Sequence, residues 1–257
     1  MYLKKKIFSI KSVNNKKIKH GFFTRVDGYS KKQFKLLNYS ISNKEKSNIV
    51  KKNIEIALNK LQINKKKLIF PKQTHSSKII RIVKKNINKN IVADGIITSL
   101  DNIAIGVLTA DCAPIFIFDI SSKFVCCLHS GWRGTLSNIS KNAVKLFNKY
   151  NIESDKLIAI IGPCLAAKNY EVDTTFRRRF ENKDLRYIKF FRNKNSKKYF
   201  FNLRGLINFQ LKELGIKKTY NINKDTYSNE SLFFSHRRST HKGENSSGRL
   251  INIISLT

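Results

Sequence analysis

The chain has 257 residues, of which 41% are hydrophobic, and carries 51 lysine and arginine residues against 17 aspartate and glutamate, a formal charge of +34. That length and apolar content suffice for one large domain, and an apolar region at 103–120 broken by Asp111 and Pro114 excludes a membrane span there. The basic start at residues 1–6 precedes only a brief Ile-Phe-Ser-Ile, so no signal peptide is expected and the protein is expected in the cytosol.

Lysine is spread through nearly every surface segment together with Asn and Ile, a compositional bias rather than one basic stripe. Non-specific attraction to phosphates follows from it, but a dedicated nucleic-acid partner is not expected. Three of the four cysteines fall between Cys112 and Cys127, which is not the spaced framework of a small secreted fold, and free thiols are expected.

In chain order, residues 21–24 read as a short strand ending in a turn at Asp27-Gly28, with Arg25 at its end. A rigid guanidinium there suits an anionic ligand, or is simply a surface arginine. Over residues 45–61, Val50, Ile54, Ala57, Leu58 and Leu61 share one face and predict an amphipathic packing helix. His75 lies between strand signals at 68–70 and 78–83, where an isolated histidine is ordinarily structural. Residues 93–98 and 103–109 are two further strands, the second delivering Asp111 and Cys112 to its end.

Residues 115–119 and 124–128 are β-branched and aromatic runs joined by a mostly polar link of hairpin length. Pairing Asp119 with Phe124 brings Cys112 and His129 to the same open end. A thiol and an imidazole in reach of each other permit a Cys-His nucleophile pair, or two ligands of a zinc site that needs a third from elsewhere. Gly131 then opens a helix to about Tyr150, whose first amides are a weak phosphate signal without a P-loop pattern. A buried strand at 157–161 precedes Cys164, which reads as a core or pocket-wall residue.

A short basic helix is expected near 173–180, a polar surface excursion over 181–198, a strand at 199–202 and a helix over 203–214 stopped by Gly215. Towards the C-terminus, Phe233-Phe234-Ser235-His236-Arg237-Arg238 leads into a polar loop and the strand 250–256. Arg237, Arg238 and Arg249 lie near that loop and could clamp a phosphate, the alternative being a solvated basic loop.

Six motifs in order resemble the bacterial laccase-domain family, once labelled polyphenol oxidase and now described as purine nucleoside phosphorylases with adenosine deaminase activity or as peptidoglycan editing factors. They are Lys72-Gln73-Thr74-His75-Ser76, Ala93-Asp94-Gly95, Thr109-Ala110-Asp111-Cys112, His129-Ser130-Gly131-Trp132-Arg133-Gly134, Ile161-Gly162-Pro163-Cys164 and Phe234-Ser235-His236-Arg237-Arg238. The resemblance implies a single α/β domain spanning 1–257, with a mixed β-sheet core flanked by helices. It also implies a catalytic zinc on His75, Cys112 and His129, and three protein ligands with an open fourth position is the pattern of a catalytic site. Such a site can activate water near neutral pH, which fits deamination.

Phosphorolysis needs phosphate held against the ribose, with Arg25 the first candidate and Arg237, Arg238 and Arg249 behind it. The implied ligands are purine nucleosides and phosphate. Five histidines are too few for the imidazole ligands of a multicopper centre. The chain departs from the family pattern at Asp27-Gly28, at Asp225-Thr226 and at His236. These departures bear on substrate preference, and Asp27 beside Arg25 would weaken phosphate binding. Two other classes share these residues: a Cys-His hydrolase editing peptidoglycan precursors, and a non-enzymatic nucleic-acid-binding protein drawing only on charge.

Overall fold

Runs that are apolar at consecutive positions, such as Ile103–Thr109, Ala113–Asp119 and Leu250–Leu256, must be covered on both faces, and the computed structural model shows the cover. It describes residues 7–13, 17–40 and 45–257, so the basic start at 1–6 lies outside the described residues. In chain order the strands are β1 (Ile7–Phe8), β2 (Ile18–Phe23), β3 (Lys67–Ile69), β4 (Ile79–Ile82), β5 (Gly95–Thr98), β6 (Ile103–Thr109) and β7 (Ala113–Asp119). They continue with β8 (Val125–Ser130), β9 (Leu157–Ile161), β10 (Glu171–Asp173), β11 (Phe191–Asn193), β12 (Lys198–Phe201), β13 (Lys218–Asn221) and β14 (Leu250–Leu256). The α-helices are α1 (Ser47–Lys60), α2 (Trp132–Leu136), α3 (Ile139–Asn148), α4 (Thr174–Glu181), α5 (Leu203–Glu213) and α6 (His236–His241).

Two large mixed sheets form the centre, one in the order β1-β2-β14-β6-β3 and the other β13-β9-β7-β8-β5-β4, with a small sheet β10-β12-β11 beside them. The large sheets pack face to face through residues such as Phe22, Val107 and Ile254 on one side and Phe116, Phe118 and Cys127 on the other. The Phe22 and Phe116 rings stack across this layer at 4.4 Å. On its outer face the five-stranded sheet offers Phe23, Ala104, Ile251 and Ile253 to Ala57 and Leu58 of α1. The outer face of the six-stranded sheet offers Ile115, Ile117, Cys126 and Leu128 to α3, α5 and the small sheet. The period of two is visible in the adjacent thiols, Cys126 facing the helices and Cys127 the other sheet. This is the expected single α/β domain with a mixed sheet core flanked by helices, and all four cysteines are free thiols.

The central hairpin has the expected register: β7 and β8 pair Phe118 with Val125, Ile115 with Leu128 and Pro114 with His129. Three expectations need correction. The single helix over 131–150 is two, because Asn138 adopts the left-handed conformation (φ 51°) and its side chain caps α3 by accepting from the Lys141 amide at 3.0 Å. The polar excursion at 181–198 is not all surface, since it contains a 3-10 helix (Leu185–Phe190) with buried Tyr187, and β11 pairs with β12. The polar stretch after Ser235 begins as α6, capped by the Ser235 hydroxyl accepting from the Arg238 amide. No helix among the described residues is long and apolar enough to cross a membrane.

Candidate functional site

At the open end of the β7–β8 hairpin the chain changes direction twice. Asp111 occupies the left-handed region at φ 84°, and so does His75 at φ 60°, conformations that non-glycine residues hold only when their surroundings enforce them. For Asp111 the enforcement comes from its own carboxylate, which accepts from the Thr226 hydroxyl at 2.6 Å, the Ser235 hydroxyl at 3.0 Å and the Arg237 amide at 2.7 Å. For His75 it comes from Asp94, whose buried carboxylate accepts the amides of Thr74, His75 and Ser76 and the Ser76 hydroxyl. Gln73 fixes the start of the same loop by pairing its amide group with the backbone of Leu108, two bonds of 2.8 Å.

His75, Cys112 and His129 thereby converge, their ligand atoms all within 4.8 Å of one another. The two imidazoles meet edge to face with centroids 4.9 Å apart. Asp94 also accepts from His129 Nδ1 at 2.8 Å, which fixes the tautomer and leaves Nε2 for a ligand or a proton. Gly131 completes the cradle: a Cβ there would lie 2.7 Å from Cys112 Sγ, so the space the thiol occupies exists only because residue 131 has no side chain.

The electrostatics of the group follow from this geometry. Burial alone would raise the Cys112 thiol, but the neighbouring His129 charge and hydrogen bonds from both imidazoles bring it well below its ordinary value. Burial alone would lower His129, yet the Cys112 charge and the Asp94 hydrogen bond raise it. Burial would likewise raise Asp94, and the bonds from His129 and Ser76 hold it far below the usual carboxylate range. A thiolate beside a carboxylate-anchored imidazole is a donor set that a borderline-soft metal ion fits, the cation replacing the ring proton.

The group opens into a cleft of about 440 Å³ with Trp132, Tyr170 and Phe176 in its wall and Asp111, Arg133, Glu171, His236 and Arg237 around them. A larger surface hollow of about 720 Å³ lies at the opposite end of the hairpin, where Ile120, Lys123 and Tyr150 supply neither thiol, imidazole nor carboxylate.

Of the four arginines expected to hold phosphate, Arg237 lines this cleft, with Nη1 donating to the Glu171 carbonyl at 2.9 Å. The other three do not line it. Arg25 lies over the Phe234 ring at 4.2 Å and donates to the Lys35 and Glu230 carbonyls. Arg238 is buried and donates to the carbonyls of Thr226, Tyr227 and Phe233, and Arg249 donates to those of Ser247 and Gly248. Asp27 sits 3.8 Å from Lys60. The departure at Asp225-Thr226 is structural: Asp225 ties down residues 166, 169 and 228 while Thr226 holds Asp111. Asp94 and Asp111 were not singled out as functional in the sequence, although both stand inside recognisable motifs.

The family model described as multi-copper polyphenol oxidoreductase laccase matches residues 19–257. The chain belongs to this family. Relatives of this laccase-family chain include a purine nucleoside phosphorylase of Rickettsia prowazekii, 33% identical over 233 residues that cover 88% of this chain and 91% of that one. The purine nucleoside phosphorylase YlmD of Bacillus subtilis is 28% identical over 259 residues, covering 95% and 90%. Among solved structures, a Neisseria meningitidis protein shares the fold at TM-score 0.88 and 23% identity over 98% of this chain and 99% of that one. The Bacillus licheniformis protein YfiH does so at 0.86 and 25%, with 93% of each chain covered. Against the multi-copper description of the laccase family, the metal-competent group found among the described residues offers two imidazoles and one thiol.

Proposed function

We propose that the cleft is the active site of a zinc-dependent purine nucleoside phosphorylase with adenosine deaminase activity, with zinc held by His75, Cys112 and His129. The observation that carries this is the convergence of the three donors on one side of an aromatic-walled cleft, in a chain whose relatives are named purine nucleoside phosphorylases. Zinc on such a donor set supplies Lewis-acid chemistry and a route to water activation near neutral pH.

The chain's own residues do the rest. Trp132, Tyr170 and Phe176 give a purine ring flat apolar surfaces to pack against. Asp94 keeps the His129 ring in one orientation and one tautomer, and its three amide bonds keep the His75 backbone in place. Arg237 is the phosphate ligand that the geometry favours; Arg25, Arg238 and Arg249 support the surrounding walls and would reach a phosphate only by exchanging carbonyl partners for it. In phosphorolysis the phosphate oxygen bonds to the anomeric carbon as the bond to the purine nitrogen breaks, so the anion must be positioned before the base departs.

Incubating the purified protein with adenosine and inosine, with and without phosphate, tests the reading: phosphate-dependent release of free base is expected from both, and phosphate-independent conversion of adenosine to inosine. Absence of both reactions would refute it. The ligand set is tested separately by metal content. About one zinc per chain is expected, lost in each of His75→Ala, Cys112→Ala and His129→Ala, with a double replacement costing turnover little more than the worst single one. A zinc-replete, active His75→Ala protein would remove that residue from the set.

The lowered thiol of Cys112 beside His129 favours a second reading, a Cys-His hydrolase acting on peptidoglycan precursors. A covalent adduct on Cys112 in metal-free, active protein would decide for it.

A further inference from the structure

Most arginines that approach the cleft are committed. Arg25, Arg238 and Arg249 donate to backbone carbonyls, Arg177 pairs with Glu181 at 3.5 Å, and Arg237, the phosphate ligand favoured above, gives Nη1 to the Glu171 carbonyl. The acids on this side are committed as well. Glu171 accepts from Lys194 and lies 3.3 Å from Lys198, and Asp173 caps α4 by accepting from the Phe176 amide at 2.7 Å.

Arg133 and Arg179 differ. Both are exposed, and both guanidinium groups lie over the Trp132 ring, at 4.6 and 5.4 Å from its centroid. Among the described residues neither makes a side-chain hydrogen bond or an ion pair, so their planar forks keep every donor. Trp132 is itself held at 5.2 Å from Phe176, which sets the position of the cations it carries. Arg133 and Trp132 line the same cleft as His75 and Cys112.

We propose that Arg133 and Arg179 form a phosphoryl-binding rim on Trp132, and that the ligand of this cleft brings a phosphate to it: a phosphorylated purine nucleoside, or the inorganic phosphate of phosphorolysis. The proposal rests on the cleft being a nucleoside site. Guanidinium forks match phosphate oxygens in a bidentate manner, and a cation held over the face of an indole keeps its donors for the anion. The cleft volume of about 440 Å³ falls in the range of roughly 300–1,000 Å³ usual for small-molecule sites.

Trp132 is the only tryptophan in the chain, so its fluorescence reads the rim directly. Adenosine, adenosine 5′-monophosphate and inorganic phosphate with saturating adenosine are titrated into wild type, Arg133→Gln, Arg179→Gln and Lys51→Gln at one ionic strength. Lys51 is an exposed α1 residue and removes the same charge on the opposite layer.

If the ligand is a phosphorylated nucleoside, the monophosphate binds wild type about tenfold or more tighter than adenosine, and each rim variant loses about tenfold for it alone. If the rim serves the co-substrate, the same variants weaken inorganic phosphate and leave the monophosphate no better than adenosine. Variants that alter neither titration overturn the proposal. So does an equal loss in Lys51→Gln, which would mean bulk charge, or a parallel loss of adenosine with altered emission before ligand is added, which would mean that the arginines merely hold the indole. A protein that turns over nucleosides but shows no rim dependence refutes the rim alone, and rim-dependent binding without turnover refutes the activity alone.

Discussion

Asp94 acts on two of the three donors by different means, gripping the backbone around His75 and the ring of His129. Asp94→Asn puts an amide among groups that are all donors, so metal affinity is expected to fall by about 10–100-fold, measured by chelator competition, even where the variant folds. Unchanged affinity would reduce Asp94 to a structural residue. Gly131→Ala asks the complementary question. Its φ of −78° suits alanine, yet the added methyl would stand 2.7 Å from the Cys112 sulfur, so metal content is expected to fall with little change in melting temperature. The motif containing Asp94 was plain in the sequence, but its role was not, because its partners lie 18–20 and 35 positions away and only the folded sheet brings them to one carboxylate. Cys112 and His129 were legible because a single hairpin joins them, and hairpin register is local information.

At the scale of elements, what the sequence concealed was interruption. The apolar spacing over 131–150 continues across Asn138 as though one helix ran through it, and a periodic pattern carries no mark of a break that one residue's left-handed conformation creates. Asn138→Ala should cost about 2 kcal/mol of stability by combining the steric penalty of that conformation with the lost cap. Asn138→Gly should cost clearly less, since glycine removes the steric part. Equal losses in denaturant unfolding would show that the conformation is not the cause. The small sheet was partly hidden for a related reason: its strands are only three or four residues long and mix charged with apolar residues, and they are held by Phe176 and Phe180 of α4 packing against Phe191 of β11 and Phe201 of β12 rather than by any long alternation of their own. Strands buried on both faces, such as β6, β9 and β14, were by contrast readable to the residue.

For the molecule as a whole, the layer between the two large sheets sets a limit on acid tolerance. His20 is buried there, edge-on to Phe116, with Nε2 accepting from the Ile10 amide at 3.0 Å, and burial pushes its pKa down to about 4. The unfolded chain therefore binds a proton that the folded one refuses. Stability attributable to His20 is intact above pH 6.5 and falls as the pH drops towards 4, by about 3 kcal/mol in all. His20→Gln should flatten that part of the pH–stability curve, and an unaltered slope between pH 6.5 and 4 would argue against the assignment. The order of strands has a further consequence, for synthesis. β14 is buried along its whole length and lies between β2 and β6, pairing with both. A chain emerging from its N-terminus makes those two neighbours long before the strand that joins them, so while residues 110–249 are being added each presents an unsatisfied edge. The β7–β8 hairpin can form as soon as it is made, whereas the sheet behind it closes from its middle and closes last.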